Sequence, residues 1–263
     1  MRPSPRFVVF VSLFVSAVSL MAGGCSREDA VAPDAAAIIE TAADMDESDI
    51  RSISLPEAAF VETFDRNSNE GNWSFVGDPD NRVETIEKDG GNPGAFLHAR
   101  CQYPLGCLDT YAPQLRTQLN TSSIFTGDYR ASGVTHVGVD LAIFGPEYVT
   151  TEGRPLSLVL RNDNGTPDDL SDDIRVFYVG TKGIPQPNGR FKSFIFEIPS
   201  QSATMPKGWN VFYGSGSGDP DTDWNRVITN VTQLTFFYGN PEMFFIYQQW
   251  ELGVDNIWIA LGD

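Results

Sequence analysis

Beyond Pro56 the chain alternates apolar and polar residues in short runs that Gly, Pro, Asn and Asp interrupt. Val137, Val139, Leu141 and Ile143 fall at every second position, and so do Leu156, Leu158 and Leu160. Period two with polar partners makes each run a half-buried strand. The pattern predicts strands over 59–64, 73–76, 82–87, 95–100, 114–119, 135–143, 156–161, 174–179, 191–198, 209–213, 233–238, 243–250 and 254–261. No stretch there carries an apolar period of 3.6 over three turns, and 223–231 makes one helical turn or two. Many short strands divided by turn residues, with no internal repeat, predict an all-β fold: a single jelly-roll-like β-sandwich over residues 57–263. The densest part is the close, MFFIYQQWELGVDNIWIAL, where both faces are apolar at first. A strand covered on both faces lies near the middle of a sheet, and Gly253 separates two runs that either pair as neighbours or continue with a bend.

The first fifth of the chain follows other rules. From Arg27 to Pro56 it is rich in Ala and acids and has no aromatic residue, so it cannot build a core. Composition favours a helix over 35–46, but about twelve residues are barely stable alone in water. Residues 25–56 therefore read as a disordered acidic tether. Before them, Arg2 and Arg6 precede an apolar run from Phe7 to Met21, and small residues lead into Cys25, as in a secretory signal peptide. A run of about fifteen residues is short for a membrane span, which takes about twenty. The ending Leu20-Met21-Ala22-Gly23-Gly24-Cys25 resembles the lipobox of bacterial lipoproteins. That resemblance implies removal of residues 1–24, diacylglycerol on Cys25, acylation of the new amino terminus, and so a lipid-anchored protein of the cell envelope. Ser26 rather than Asp follows the cysteine, which in the enterobacterial lipoproteins favours the outer membrane. More than one acyl chain is what stable anchoring requires. The other readings are an ordinary cleaved signal peptide with an incidental cysteine, and an uncleaved helix.

Charge narrows the partners. With 18 basic and 35 acidic residues the net charge is −17, a surface that repels nucleic acid and anionic headgroups and offers oxygen ligands to a hard cation. Cys101 and Cys107, six apart, read in an oxidising compartment as one local disulfide. So small a ring contributes about 2 kcal/mol and pins a loop. The alternative is two free thiols or half a metal site, with His98 the close candidate to complete it.

The segments Phe-Val-Glu-Thr-Phe-Asp at 60–65, Asn72-Trp73, Gly-Gly-Asn-Pro-Gly-Ala-Phe-Leu at 90–97 and Gly-Val-Asp-Asn-Ile at 253–257 look like exported bacterial jelly-roll domains. They are similar to galactose-binding-like carbohydrate-binding modules and to laminin-B-type domains, and the likeness spans residues 57–263. It implies a calcium ion tying the first strand to the last, with Glu62 and Asp255 as matching positions and backbone from the turn at 92–94, where Asn92 stands. The residues add their own case, since Glu62, Asp65, Asp255 and Asn256 supply oxygen ligands from both ends of the domain. Otherwise Glu62 and Asp255 are solvated strand-edge charges or acceptors for turn amides.

Two further acidic clusters read differently. Residues 161–173, RNDNGTPDDLSDD, form a long hairpin loop with its turn at Asn164-Gly165, and Leu160 and Ser171 break the spacing of a calcium helix-loop-helix. Asp219, Asp221 and Asp223 are spaced by two, a weak ion site where Trp224 stands in the place of the usual Gly. Catalysis finds no pairing: His98 and His136 sit inside strand-like runs, and Gly216 occupies the centre of Gly-Ser-Gly-Ser-Gly where a nucleophilic serine would be. A non-enzymatic binder fits better, because sugars are held by planar aromatics flanked by polar side chains. Of five tryptophans, Trp224 beside an acidic loop and Trp250 next to Gln248 are the expected glycan-binding residues. The function this implies is a membrane-anchored module for polysaccharide recognition or adhesion, against a spacer that contacts protein partners or nothing specific.

Overall fold

The computed structural model describes residues 57–76, 82–101, 112–119, 123–145, 151, 153–243 and 248–262. The leader, Cys25, the tether and the Cys101–Cys107 pairing lie outside what it describes. Among the described residues twelve strands follow the alternation: β1 (Ala58–Glu62), β2 (Trp73–Val76), β3 (Arg82–Gly91), β4 (Gly94–Cys101), β5 (Gln114–Thr117), β6 (Val134–Gly145), β7 (Pro155–Asn162), β8 (Ile174–Gly183), β9 (Lys192–Glu197), β10 (Trp209–Val211), β11 (Gln233–Phe237) and β12 (Glu251–Leu261). Short helices, α1 (Tyr129–Ser132) and α2 (Pro220–Ile228), fill connections. The strands make two antiparallel sheets packed as a sandwich. Sheet A runs β3-β4-β12-β6-β9 with β1 also beside β12, and sheet B runs β10-β8-β7-β11-β5-β2.

The inward faces follow the periodicity. Val137, Val139, Leu141 and Ile143 of β6 join Leu156, Leu158 and Leu160 of β7 in one core with Trp73, Phe236, Leu252, Ile257 and Ile259. Each such buried side chain contributes about 1.5–3 kcal/mol relative to exposure, so the sandwich rests on this layer.

The closing strand lies in the middle of its sheet, as its apolar faces predict, and it runs through Gly253 without a turn. On one side it pairs with β6 along its length. On the other it is shared, with β4 against Leu252–Val254 and β1 against Ile257–Ala260. Between these halves the register shifts from Asp255 to Trp258, and Asn256 adopts a positive φ of 44°. The bulge leaves a notch at the junction of β1, β4 and β12.

Two expectations change, and the strand expected over 243–250 falls largely on residues 244–247, outside the described residues. At its end Trp250 packs into the core with its ring against Tyr238 and the Arg154 guanidinium 5.1 Å from its centroid. The helix expected over 223–231 begins at Pro220, because Asp219 caps it and proline suits the first helical position. The three carboxylates read as a weak ion site hold the helix and its flanks: Asp219 accepts from the Asp221 amide, Asp221 from the Met205 amide and buried Asp223 from the Ser217 amide. The 163–173 loop is the expected hairpin connection, with Asn164 and Gly165 both at positive φ.

Candidate functional site

Of the residues expected to bind calcium, Asp65, Asn92, Asp255 and Asn256 lie at the notch in sheet A, and Glu62 is turned to amides of the neighbouring turn. Glu62 is buried, and its two oxygens accept the amides of Phe64 at 3.3 Å and Gly71 at 3.0 Å, so it folds the 64–71 turn. Asp65, in that turn, accepts from the Thr63 hydroxyl and lies against Gly94, where a Cβ would come within 3.2 Å of its Oδ1. Asp255 is fully buried and accepts the amides of Asn92 at 2.6 Å and Asn256 at 2.7 Å. The side-chain amides of Asn92 and Asn256 both donate to Asp140, at 3.0 and 2.8 Å. Burial pushes the Asp255 carboxyl up to about 6; the Asn92 and Asn256 amides oppose this, and the charges of Asp140 and Asp65 add to it.

Those donors are hard oxygens of the kind calcium takes. Among the described residues no three His, Cys, Asp or Glu side chains converge as a ligand set, so a cation here would draw on amide and carbonyl oxygens as well. Asp140, unexpected from the sequence, joins Asp255 through Asn92 and Asn256.

The expected sugar platforms are placed elsewhere. Trp224 and Trp250 have no exposed surface, so neither presents a face to a ligand. Trp224 sits on α2 with its indole N–H donating to the Ser202 carbonyl and its ring 5.0 Å from that of Trp209. Gln248 is half-buried beside Trp250, and its Oε1 meets no donor among the described residues. His98 bridges Glu251 at 3.0 Å and Glu87 at 3.5 Å beneath Phe144 and Phe96, and His136 faces outward from β6.

Sheet B carries a groove on its outer face. Most residues alternating with core positions there are polar: Arg175 on β8, Arg161 on β7, Gln233 and Thr235 on β11, and Gln114 and Arg116 on β5, with Val159 and Phe237 the apolar ones. Register sets them side by side, since Arg161 pairs with Arg175 and Gln233, and Thr235 with Val159 and Arg116. Outward residues of an antiparallel sheet ordinarily meet water, yet Arg161, Gln233 and Thr235 are each at most 6% exposed. They form the floor of a groove of about 130 Å³ walled by Phe237, Phe212 and Leu170. Tyr213, next to Phe212, is 91% exposed. A larger opening of about 310 Å³ lies at the sandwich edge over Tyr178, Phe194, Phe196 and Trp209; it is a seam between sheets whose floor is core.

The overall fold is similar to solved structures at low identity. An exo-beta-agarase is 13% identical over 77% of this chain, with a TM-score of 0.40. This chain spans a quarter (25%) of that enzyme's length. The K1 cleaved adhesin domain of Lys-gingipain from Porphyromonas gingivalis W83 is 11% identical over 78% of this chain and 98% of its own, with a TM-score of 0.37. Cellulose induced protein Cip1 is 13% identical over 77% of this chain and 97% of its own, with a TM-score of 0.39. No family model matches the chain, and no curated protein does.

The groove residues escape a linear reading because they come from four strands far apart in sequence. Each is an ordinary polar partner in its own alternation, and only the register of β8, β7, β11 and β5 joins them.

Proposed function

We propose that this chain is an exported glycan-binding module, lipid-anchored through Cys25 in the cell envelope, that recognises polysaccharide across the outer face of sheet B. The observation that carries the reading is the groove itself. It combines guanidinium, amide and hydroxyl groups on a rigid sheet with the rings of Phe212 and Phe237, the combination by which sugars are oriented and stacked. Its test is a glycan array probed with the full chain and with two variants, Phe237→Ala and Thr235→Trp. Saturable binding that falls about tenfold when the ring is removed, and further when the floor is filled, supports the reading. Silence of the wild-type chain across the array leaves the spacer.

The anchor has its own test. A palmitate analogue labels the wild-type chain and not Cys25→Ser, which leaves the membrane fraction; an unlabelled wild-type chain removes the anchor.

Calcium, in this proposal, is structural. Asp255 and Asp140, with carbonyl and side-chain oxygens of Asn92 and Asn256, would hold it and would tie the β3–β4 turn onto β12. The ion would neutralise the charge of a buried carboxylate. A native-state ion raises the melting temperature by mass action, so melts in calcium and in EDTA separate if it binds and coincide if it does not.

A further inference from the structure

The groove holds a charge pattern at odds with the rest of the chain. Arg161 and Arg175 are direct cross-strand partners, a like-charge pairing that repels. Asp173, almost fully buried, lies 2.7 Å from Arg161 Nη2 and 3.3 Å from Arg175 Nη2. Two opposed arginines thus share one carboxylate in a groove of a chain whose net charge is −17.

The single carboxylate does not use up the donors. Nε of Arg161 and Nε of Arg175 are buried and meet no acceptor among the described residues, and Asp173 receives charge contacts rather than directed hydrogen bonds. The neighbouring loop offers no replacement from Asp163, Asp169 or Asp172, whose side chains accept from Gly165, Ser171 and Thr166 of the loop itself. A buried guanidinium edge is completed by an oxyanion, which takes two of its N–H groups at once. The volume of about 130 Å³ limits what enters. It falls below the range of roughly 300–1,000 Å³ that encloses a drug-sized ligand, and it suits one charged substituent of a larger molecule lying outside.

We infer that the groove receives the anionic substituent of an acidic polysaccharide, either the carboxylate of a uronic acid or a sulfate ester. The inference rests on reading this face as a glycan site and adds the class of glycan. Arg175 and Arg161 are the specificity-determining residues, and the neutral part of the polymer contacts the walls and rim.

The test titrates the full chain with four polymers: polygalacturonate, its methyl ester, dextran sulfate and dextran. Polygalacturonate bound at least tenfold more tightly than its ester assigns a carboxylate, and dextran sulfate bound at least tenfold more tightly than dextran assigns a sulfate; either result supports the inference. Arg175→Gln, at the more exposed of the two positions, is expected to remove the preference, and Arg175→Lys, which keeps the charge without the fork, to restore it only in part. Should Arg175→Gln fail to fold, the ester and sulfate comparisons on the wild-type chain still decide. Equal affinity for charged and neutral polymers overturns the inference while leaving glycan binding in place. No binding to any polymer, together with a silent array, overturns both.

Discussion

The outer faces of the two sheets arise from the same alternation and come out opposite in character. On sheet A the central outward positions close over themselves. Phe96, Phe144 and Phe191 pack ring to ring at 5.6–6.4 Å, Gly253 leaves room for them, and Trp258 lies flat against Gly138, where a Cβ would stand 2.1 Å from the indole. His98 is matched on both nitrogens by glutamates. On sheet B the outward positions mix apolar Val159 and Phe237 with polar groups, of which Arg161, Gln233 and Thr235 are nearly buried and the Nε of Arg161 and of Arg175 meet no acceptor among the described residues. Sheet A's outer face leaves one buried ring nitrogen, His136 Nδ1, without a partner among the described residues, whereas on sheet B two buried guanidinium Nε groups lie together in a groove, and clustered buried donors without acceptors mark where a partner belongs.

The difference is broken most severely at Arg161. Removing it as Arg161→Met leaves Asp173 buried with only Arg175 beside it, and stripping one partner from a buried pair costs about 3–5 kcal/mol. Denaturant titration should show a loss of that order, much of it recovered when Asp173→Asn is added. A single-variant loss under 1 kcal/mol would show that solvent in the groove, rather than Arg161, compensates the Asp173 charge.

A smaller effect comes from the notch beside the aromatic face. The Asp255 carboxyl is raised to about 6 from an ordinary value near 3.8, so the folded state holds its proton more tightly than the unfolded chain does. Its contribution to stability is therefore complete below pH 4 and is lost as pH rises through 6. In EDTA, melting temperatures at pH 5 and pH 7 should differ less for Asp255→Asn than for the wild-type chain. An identical difference in both would place the charge cost elsewhere, and restoration of the pH 7 melt by calcium would tie that cost to the cation.

Much of this architecture could be read along the chain, and the exceptions share a cause. β2 stands where alternation placed it, and β12 takes the central position that its two apolar faces demand. Trp258 could also have been found, because Ile257 and Ile259 point inward and period two sends the residue between them out. Trp224 was less accessible: on α2 it shares the inward side with Val227 and Ile228, three and four positions on, a helical spacing too short to recognise beside the strands. Asp140 is a polar residue between Val139 and Leu141, indistinguishable in a linear reading from any outward strand position. What makes it part of a site is the bulge at Asn256, and register shifts have no signature in hydrophobic periodicity. The same limit applies to Arg161 and Arg175, whose opposition depends on how β7 and β8 pair across an eleven-residue loop.

The smallest effect expected is at Gly253, and it tests whether sheet A's outer face is closed by fit or only by composition. A Cβ there would lie 2.6 Å from a ring carbon of Phe144 and 3.2 Å from Phe96. Gly253→Ala must therefore displace Phe144, a half-buried ring with some room to move, and overpacking of this kind costs about 1–3 kcal/mol, here at the low end. Part of that cost returns through the lower backbone entropy of alanine in the unfolded chain. Truncating the obstacle as Phe144→Leu should make the alanine nearly neutral, and the coupling between the two changes, read from a double-mutant cycle, measures the contact. Additive effects would mean that the rings do not rest on the glycine, and the outer face of sheet A would then be as open to a ligand as that of sheet B.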